Sequence, residues 1–265
     1  MTAGTPARDH AAVSSPRSFH QLDGPLRFAR RGDSYARARP SYPGEAIDAI
    51  AGVVVPHARV ADIGSGTGIG ARLIADRGFH VTAVEPNRDM ISAASPHPRV
   101  QFVEALAERL PFSVASVALV TAFTSFHWFR PDEFYAEVRR ITGTGARLAV
   151  IWNDWDYDDP FTAEYAKLVR SDLTDYPSEM LDREIATLNA SPVFSRVEAL
   201  EFANRHVLDA LTLVDRTLSI SYVLHEGERW ERLAGELKNL HSRHERAGQV
   251  THHYITRLFL ATVAG

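Results

Sequence analysis

Val60-Ala-Asp-Ile-Gly-Ser-Gly-Thr-Gly68 decides the fold of this chain. A short apolar run carrying Asp62 gives way to three glycines at two-residue spacing, and a helical pattern follows. This predicts a buried strand, a tight glycine turn and a helix N-terminus. Backbone N–H groups at such a turn are expected to bind a polar ligand, and the missing side chains let it approach closely. About 20 residues on, Val81-Thr-Ala-Val-Glu85 reads as a second strand ending in an acid placed to accept hydrogen bonds from both hydroxyls of a ribose. Together the two pieces point to a nucleoside-containing cofactor.

Two details argue against a nicotinamide or flavin dinucleotide. Its fingerprint needs the third glycine one place later, where this chain has Ile69. The glycine strand also normally opens such a domain, whereas here a long segment precedes it. Asp62, just before the glycines, suits a ligand that carries positive charge. S-adenosyl-L-methionine, with its ammonium and sulfonium, is such a ligand.

Composition narrows the class further. A chain of 265 residues with four tryptophans can bury one large core, with or without a smaller lobe. No apolar run reaches the length of a membrane span, and no signal-peptide pattern opens the chain. The absence of cysteine removes disulfides, thiolate zinc sites and thiol nucleophiles together. A cytoplasmic location is expected. The net charge of −4 does not favour nucleic acid as a partner.

Residues 1–18 lack periodicity and read as a disordered tail. Residues 19–265 read as a single domain. An aromatic and basic segment runs through Phe28, Tyr35, Arg39-Pro40 and Tyr42-Pro43 into a helix over Gly44–Ala51. Five strand-like runs follow, at Arg59–Ile63, His80–Val84, Val100–Val103, Ser116–Ala122 and Arg147–Trp152. They alternate with helical ones at Ile69–Arg77, Arg88–Ala94 and Pro131–Ile141, with a short turn near Ala107. Near-continuous apolar strands alternating with helices predict an α/β fold with a parallel sheet covered on both faces. After Trp152 the rhythm breaks. Strand character returns at Val197–Phe202, helices at Leu211–Val223 and Arg229–Arg243, and a last strand at Thr251–Val263.

The glycine stretch, Glu85, Leu110-Pro111-Phe112 and the fourth strand leading into Phe126-His127-Trp128-Phe129 resemble the class I S-adenosylmethionine-dependent methyltransferases. The likeness is to the small-molecule, type 11 branch that includes ubiquinone-biosynthesis and trans-aconitate-like enzymes. Tyr35…Arg39-Pro40-Ser41-Tyr42-Pro43, Ser219-Ile-Ser-Tyr222 and His253–Phe259 are similar to it too. The resemblance implies a Rossmann-like, seven-stranded, mostly parallel sheet with the last strand antiparallel and helices on both faces. The core would be about residues 45–152 plus the strands near 197–203 and 251–263. A helical cap would come from 28–44, 153–190 and 206–245.

Carried over residue by residue, the resemblance implies that Gly64, Ser65, Gly66 and Gly68 line the methionine and ribose. Glu85 would hold the ribose hydroxyls, and Pro86 and Met90 would pack near the adenine. Leu106 and Ala107 would meet the adenine edge. Relatives often carry Asp or Asn at the place of Leu106, so recognition there would fall to backbone groups. Thr121 would face the sulfonium, and Tyr35 and Arg39 would close over the methionine end, with Arg39 pairing its carboxylate.

His127, directly after the fourth strand, is the candidate general base; its other reading is a structural or substrate-shaping histidine. Phe126, Trp128 and Phe129 would build an apolar wall or simply pack the core. The acids from Asp154 to Asp159 and the histidines at 241, 244, 252 and 253 offer no complete ligand set, so no metal is expected. The Asp/Asn-Pro-Pro-aromatic motif of nucleic-acid amino-methyltransferases is missing after the fourth strand, where Thr124-Ser-Phe-His127 stands.

The expected activity is methyl transfer from S-adenosyl-L-methionine, with S-adenosyl-L-homocysteine as product, to oxygen or nitrogen of a small organic molecule. The expected enzyme is a monomer or homodimer. Two alternatives stand: a protein that binds this cofactor without methylating, and a nicotinamide-dependent oxidoreductase.

Overall fold

The computed structural model describes residues 38–171, 180–220, 223 and 227–265. The alternation seen in the sequence is realised as β1 (Arg59–Ile63), β2 (His80–Val84), β3 (Val100–Val103), β4 (Leu119–Phe123) and β5 (Arg147–Trp155). These are followed by two long strands, β6 (Phe194–Leu208) and β7 (Val250–Val263). The sheet order is β3-β2-β1-β4-β5-β7-β6. All pairings from β3 through β5 are parallel, and β7 runs antiparallel to both neighbours. The order reverses between β1 and β4, and in open α/β sheets ligands bind outside the carboxyl ends of the strands at such a switch point.

Two cores cover the two faces. Helix α1 (Gly44–Ala51) and helix α2 (Ile69–Ala75) bury Ile47, Ile50 and Ile74 against Val60, Val81, Leu119, Ile151 and Leu258. On the other face α4 (Pro131–Ile141) buries Phe134, Val138 and Ile141 against Ile63, Val120, Leu148 and Val150. The short α3 (Arg88–Ser92) follows β2. Pro131 opens α4 at a position whose N–H would have no helical partner, and Arg139 and Arg140 close it where cations suit the dipole.

Helix α2 lies unusually close to β4. A Cβ built on Gly70 would stand 2.3 Å from the Phe123 ring. Glycine inside a helix normally costs about 1 kcal/mol relative to alanine, but here alanine meets an aromatic ring. Gly70→Ala is therefore expected to destabilise by about 1–3 kcal/mol, as overpacked sites do. Phe123→Leu in the same chain should recover part of that loss. Urea unfolding of the three variants measures both effects, and a stabilised Gly70→Ala would refute the close approach.

The remaining helices are α5 (Pro160–Ser171), α6 (Met180–Ala190), α7 (Ala210–Leu218) and α8 (Glu228–His244). β5 ends opposite Tyr254, but β6 and β7 stay paired out to Leu208 and Val250. This ribbon carries the cap, in which Tyr165, Val169, Leu213, Leu237 and Leu240 form a third apolar cluster with Leu208 and Val250. Residues 180–190, expected in the cap, instead send Ile185 and Leu188 into the core with α4. Of the acids from Asp154 to Asp159, Asp159 starts α5: its Oδ1 accepts from the Thr162 amide. No helix among the described residues is long and apolar enough to cross a membrane.

Some boundaries differ from the expected ones. β4 starts at Leu119, because the Ser116 and Val117 amides bond the Ile141 carbonyl at the end of α4 instead of joining the sheet. β6 is far longer than Val197–Phe202, because its half-exposed outer part alternates polar residues that carry little apolar signal. Helix α7 stops at Leu218, where Ser219 turns its hydroxyl back onto the Arg216 carbonyl.

Candidate active site

The glycine turn is built as the sequence implies, but its amides are already used. Gly64 and Ser65 donate to the Val84 carbonyl at the end of β2, and Gly68 donates to the Ser65 carbonyl. The Gly66 amide donates to Glu85 Oε2 at 2.8 Å. The expectation that these N–H groups bind the ligand is therefore corrected: what the turn offers is close approach. Gly64, Gly66 and Gly68 all have positive φ. A Cβ on Gly68 would lie 2.6 Å from the Phe102 ring.

Asp62 lies beneath the turn, fully buried at the C-terminal end of β1. The Thr121 hydroxyl donates to its Oδ1 at 2.7 Å, while Oδ2 has no hydrogen-bond partner among the described residues. Burial pushes this carboxyl up to about 7, with the nearby Glu85 adding to the rise and the Thr121 hydroxyl and the Ala71 amide opposing it. The Ala71 amide belongs to the first turn of α2. A buried acid thus faces the helix N-terminus where a dinucleotide fold would place a pyrophosphate.

Glu85 follows β2 and is almost fully buried. Its Oε1 accepts from the Asn87 amide at 2.9 Å, and Oε2 accepts from Gly66. Burial raises its carboxyl, and the two amides pull the other way. Each carboxylate oxygen accepts more than one hydrogen bond, so both oxygens keep capacity for a diol while the amides fix their orientation. The side chain of Asn87 caps α3 by accepting from the Asp89 and Met90 amides, and Met90 is buried in that first turn. The sequence reading passed over Asn87, although Asn three residues before Met90 is a helix-start signal.

Other expected residues are placed as follows. Ser65 Oγ and Thr67 Oγ1 are buried and have no hydrogen-bond partner among the described residues. Leu106 is 51% exposed and Ala107 is buried in the core, so the two neighbours present different faces. Thr121 is fully buried, as Asp62 is, and its hydroxyl donates to that carboxylate. Arg39 Nη2 donates to the Ser219 carbonyl at the end of α7, which turns it toward the cap. Tyr35 lies outside the described residues.

The chain after β4 forms the other wall. Thr124 holds φ +50, rare for a β-branched residue, and its hydroxyl meets the Tyr42 hydroxyl at 2.8 Å. Strained backbone of this kind gathers at functional sites. Ser125 Oγ donates to the Ile63 carbonyl and locks this turn against β1. His127 lies in a single 3₁₀ turn, Phe126–Trp128, buried with its ring 4.7 Å from both Trp128 and Trp152. Phe126 and Phe129 pack with Phe134 in the core. The segment before α1 is tied to the sheet, since Asn153 on β5 and Asn204 on β6 both donate to the Ser41 carbonyl.

Against that geometry, residues 61–150 match the family model described as a methyltransferase domain. Over that stretch the chain is similar to methyltransferase domains. An uncharacterized methyltransferase of Mycobacterium tuberculosis is 33% identical over 150 residues, 56% of this chain and 60% of its own length. The chain thus aligns with about 60% of that relative. An uncharacterized methyltransferase-like protein of Schizosaccharomyces pombe is 26% identical over 212 residues, 78% of this chain and 82% of its own. Among solved structures, an Anabaena variabilis protein, provisionally named a methyltransferase from an antibiotic biosynthesis pathway, aligns with TM-score 0.63 at 21% identity. The alignment covers 86% of this chain and all of that one. At that identity the likeness shows the fold.

The residues around the turn fit a polar ligand that approaches the backbone closely. Three buried polar atoms without a hydrogen-bond partner among the described residues, Asp62 Oδ2, Ser65 Oγ and Thr67 Oγ1, surround the turn. Gly64 and Gly68 sit where any side chain would collide. Buried polar groups in native proteins are nearly always paired, so three in one turn mark a place where a polar ligand completes the bonding.

Proposed function

We propose that this chain transfers a methyl group from S-adenosyl-L-methionine to an oxygen or nitrogen of a small organic metabolite. The observation that carries this reading is the pair of buried acids, Asp62 and Glu85, at adjacent strand ends. Glu85 suits a ribose diol in either cofactor, whereas Asp62, a buried carboxyl facing the helix N-terminus, calls for a ligand with positive charge and repels a pyrophosphate. That separates the reading from a nicotinamide-dependent oxidoreductase more sharply than Ile69 does.

When bound, the cofactor supplies a methyl group activated by the sulfonium. Glu85 would hold the ribose hydroxyls, and Asp62 the positive end through Oδ2. Pro86 and Met90 would flank the adenine. Trp128 and Trp152 shelter the methyl-transfer side from water. His127, after β4, would receive a proton from the acceptor's hydroxyl or amine on a ring nitrogen. A proton-transfer role of that kind typically contributes about 10²–10⁴-fold. His127→Ala should lower kcat by a factor in that range and leave S-adenosylhomocysteine affinity unchanged; turnover equal to the parent would remove His127 as a base.

Calorimetric titration with S-adenosylhomocysteine and with NAD tests the cofactor reading. Saturable heat with the first and none with the second is expected. The reverse pattern would overturn it. Binding of S-adenosylhomocysteine without methylation of any of a broad acceptor panel would favour the non-methylating alternative.

A further inference from the structure

The end of the sheet opposite the cradle carries a second site. Parallel strands are usually connected by a helix that covers the sheet. The crossover from β3 to β4 contains none, only a turn near Ala107. One face of β2 and β3 is therefore left to a loop at the N-terminal ends of the strands. The result is a cavity of about 380 Å³, within the usual range for small-ligand sites.

Arg59 begins β1 and pairs in register with His80, which begins β2. Arg99 immediately precedes Val100, the partner of Val81 on β3, and its carbonyl accepts from the Val81 amide. The three basic residues therefore form a row across three adjacent strands, and all three line the cavity. Thr82 and Gln101 lie two residues further along β2 and β3 and give a floor of neutral hydrogen-bonding groups. Phe112, from the crossover, forms an aromatic wall.

Among the described residues no ion pair involves Arg59, His80 or Arg99, and no acid lines the cavity. With strands about 4.8 Å apart, the outer members of the row stand about 10 Å apart at the backbone. Two guanidiniums can then reach one anion from both sides, the geometry that favours phosphoryl oxygens. The concavity and the net charge of −4 disfavour a nucleic-acid strand.

We propose that the basic row Arg59–His80–Arg99 and the floor of Thr82 and Gln101 form a binding site for a phosphate-bearing small molecule, separate from the methyl-transfer site. The inference does not depend on the proposed function.

Calorimetry at low ionic strength with inorganic pyrophosphate and with AMP tests it, using sulfate as the anion comparator. Saturable one-to-one binding of pyrophosphate or AMP, tighter than sulfate, is expected. Arg59→Gln and Arg99→Gln alter exposed side chains, so thermal melting should be preserved while binding weakens about tenfold in each. Gln101→Leu, which changes no charge, should weaken it as well. AMP binding more tightly than pyrophosphate would add Phe112 to the site; equal binding would support a site that reads phosphate alone. No saturable binding, binding unchanged in both arginine variants, or tighter binding of a single-stranded oligonucleotide than of either probe would overturn the proposal.

Discussion

Asp62→Asn should abolish a pH dependence of stability that the parent shows between about 4 and 7. Asp62 is fully buried and its carboxyl rises from 3.8 to about 7 on folding. The folded state therefore holds this proton to a higher pH than the unfolded chain does. Stability falls as pH rises wherever the folded state binds more protons. The contribution is fully favourable below about 4, declines through the window, and is lost above 7. The rise corresponds to a penalty on the order of 4 kcal/mol above that window. Asparagine keeps an oxygen for the Thr121 hydroxyl and carries no charge. The difference in melting temperature between variant and parent should then grow by about 10 °C from acid to alkaline conditions. A difference that stays constant from pH 5 to 8 would refute the buried, high-pKa carboxyl.

The same acid links pH to ligand affinity. A cationic ligand stabilises the ionised form of Asp62, so S-adenosylmethionine should bind more tightly as pH rises through about 7. S-adenosylhomocysteine, which keeps the ammonium but lacks the sulfonium, should respond less. Asp62→Asn should flatten both profiles. Apo stability and cationic-ligand affinity therefore move in opposite directions with pH, and one carboxyl accounts for both.

The sheet was readable because parallel strands buried on both faces are continuously apolar, as in Leu119–Phe123. The cradle was readable because positive φ and close approach demand glycine, and Gly64 and Gly68 have both reasons. Hydrogen-bond direction was not readable. Nothing in the string says that the turn's amides face Val84 and Glu85, or that Thr121 serves Asp62. The outer half of β6 was hidden by its alternation of polar residues. Arg39 was assigned by resemblance to the methionine end, but its contact with Ser219 depends on where α7 stops, which residue order does not reveal. Ser125 carries no motif of its own; its importance comes from lying against Gly64.

That contact sets the largest stability effect expected from a single methyl group. Gly64 holds φ +64, and a Cβ there would stand 2.6 Å from Ser125 Cβ, 2.9 Å from Ser125 Oγ and 3.1 Å from the Phe129 ring. Alanine in the left-handed region costs about 1–2 kcal/mol before any contact is counted. The steric part adds about 1–3 kcal/mol, because Ser125 is held by its bond to Ile63 and Cβ is not the far end of a flexible chain. Gly64→Ala should therefore lose about 2–5 kcal/mol in denaturant unfolding and displace the turn that positions Glu85. Ser125→Gly in the same chain removes both close atoms and leaves the backbone cost and Phe129. The double variant should regain the steric part only, so the two changes will not add. Full additivity would show that Ser125 does not limit the turn. Full recovery would show that the left-handed backbone costs nothing there.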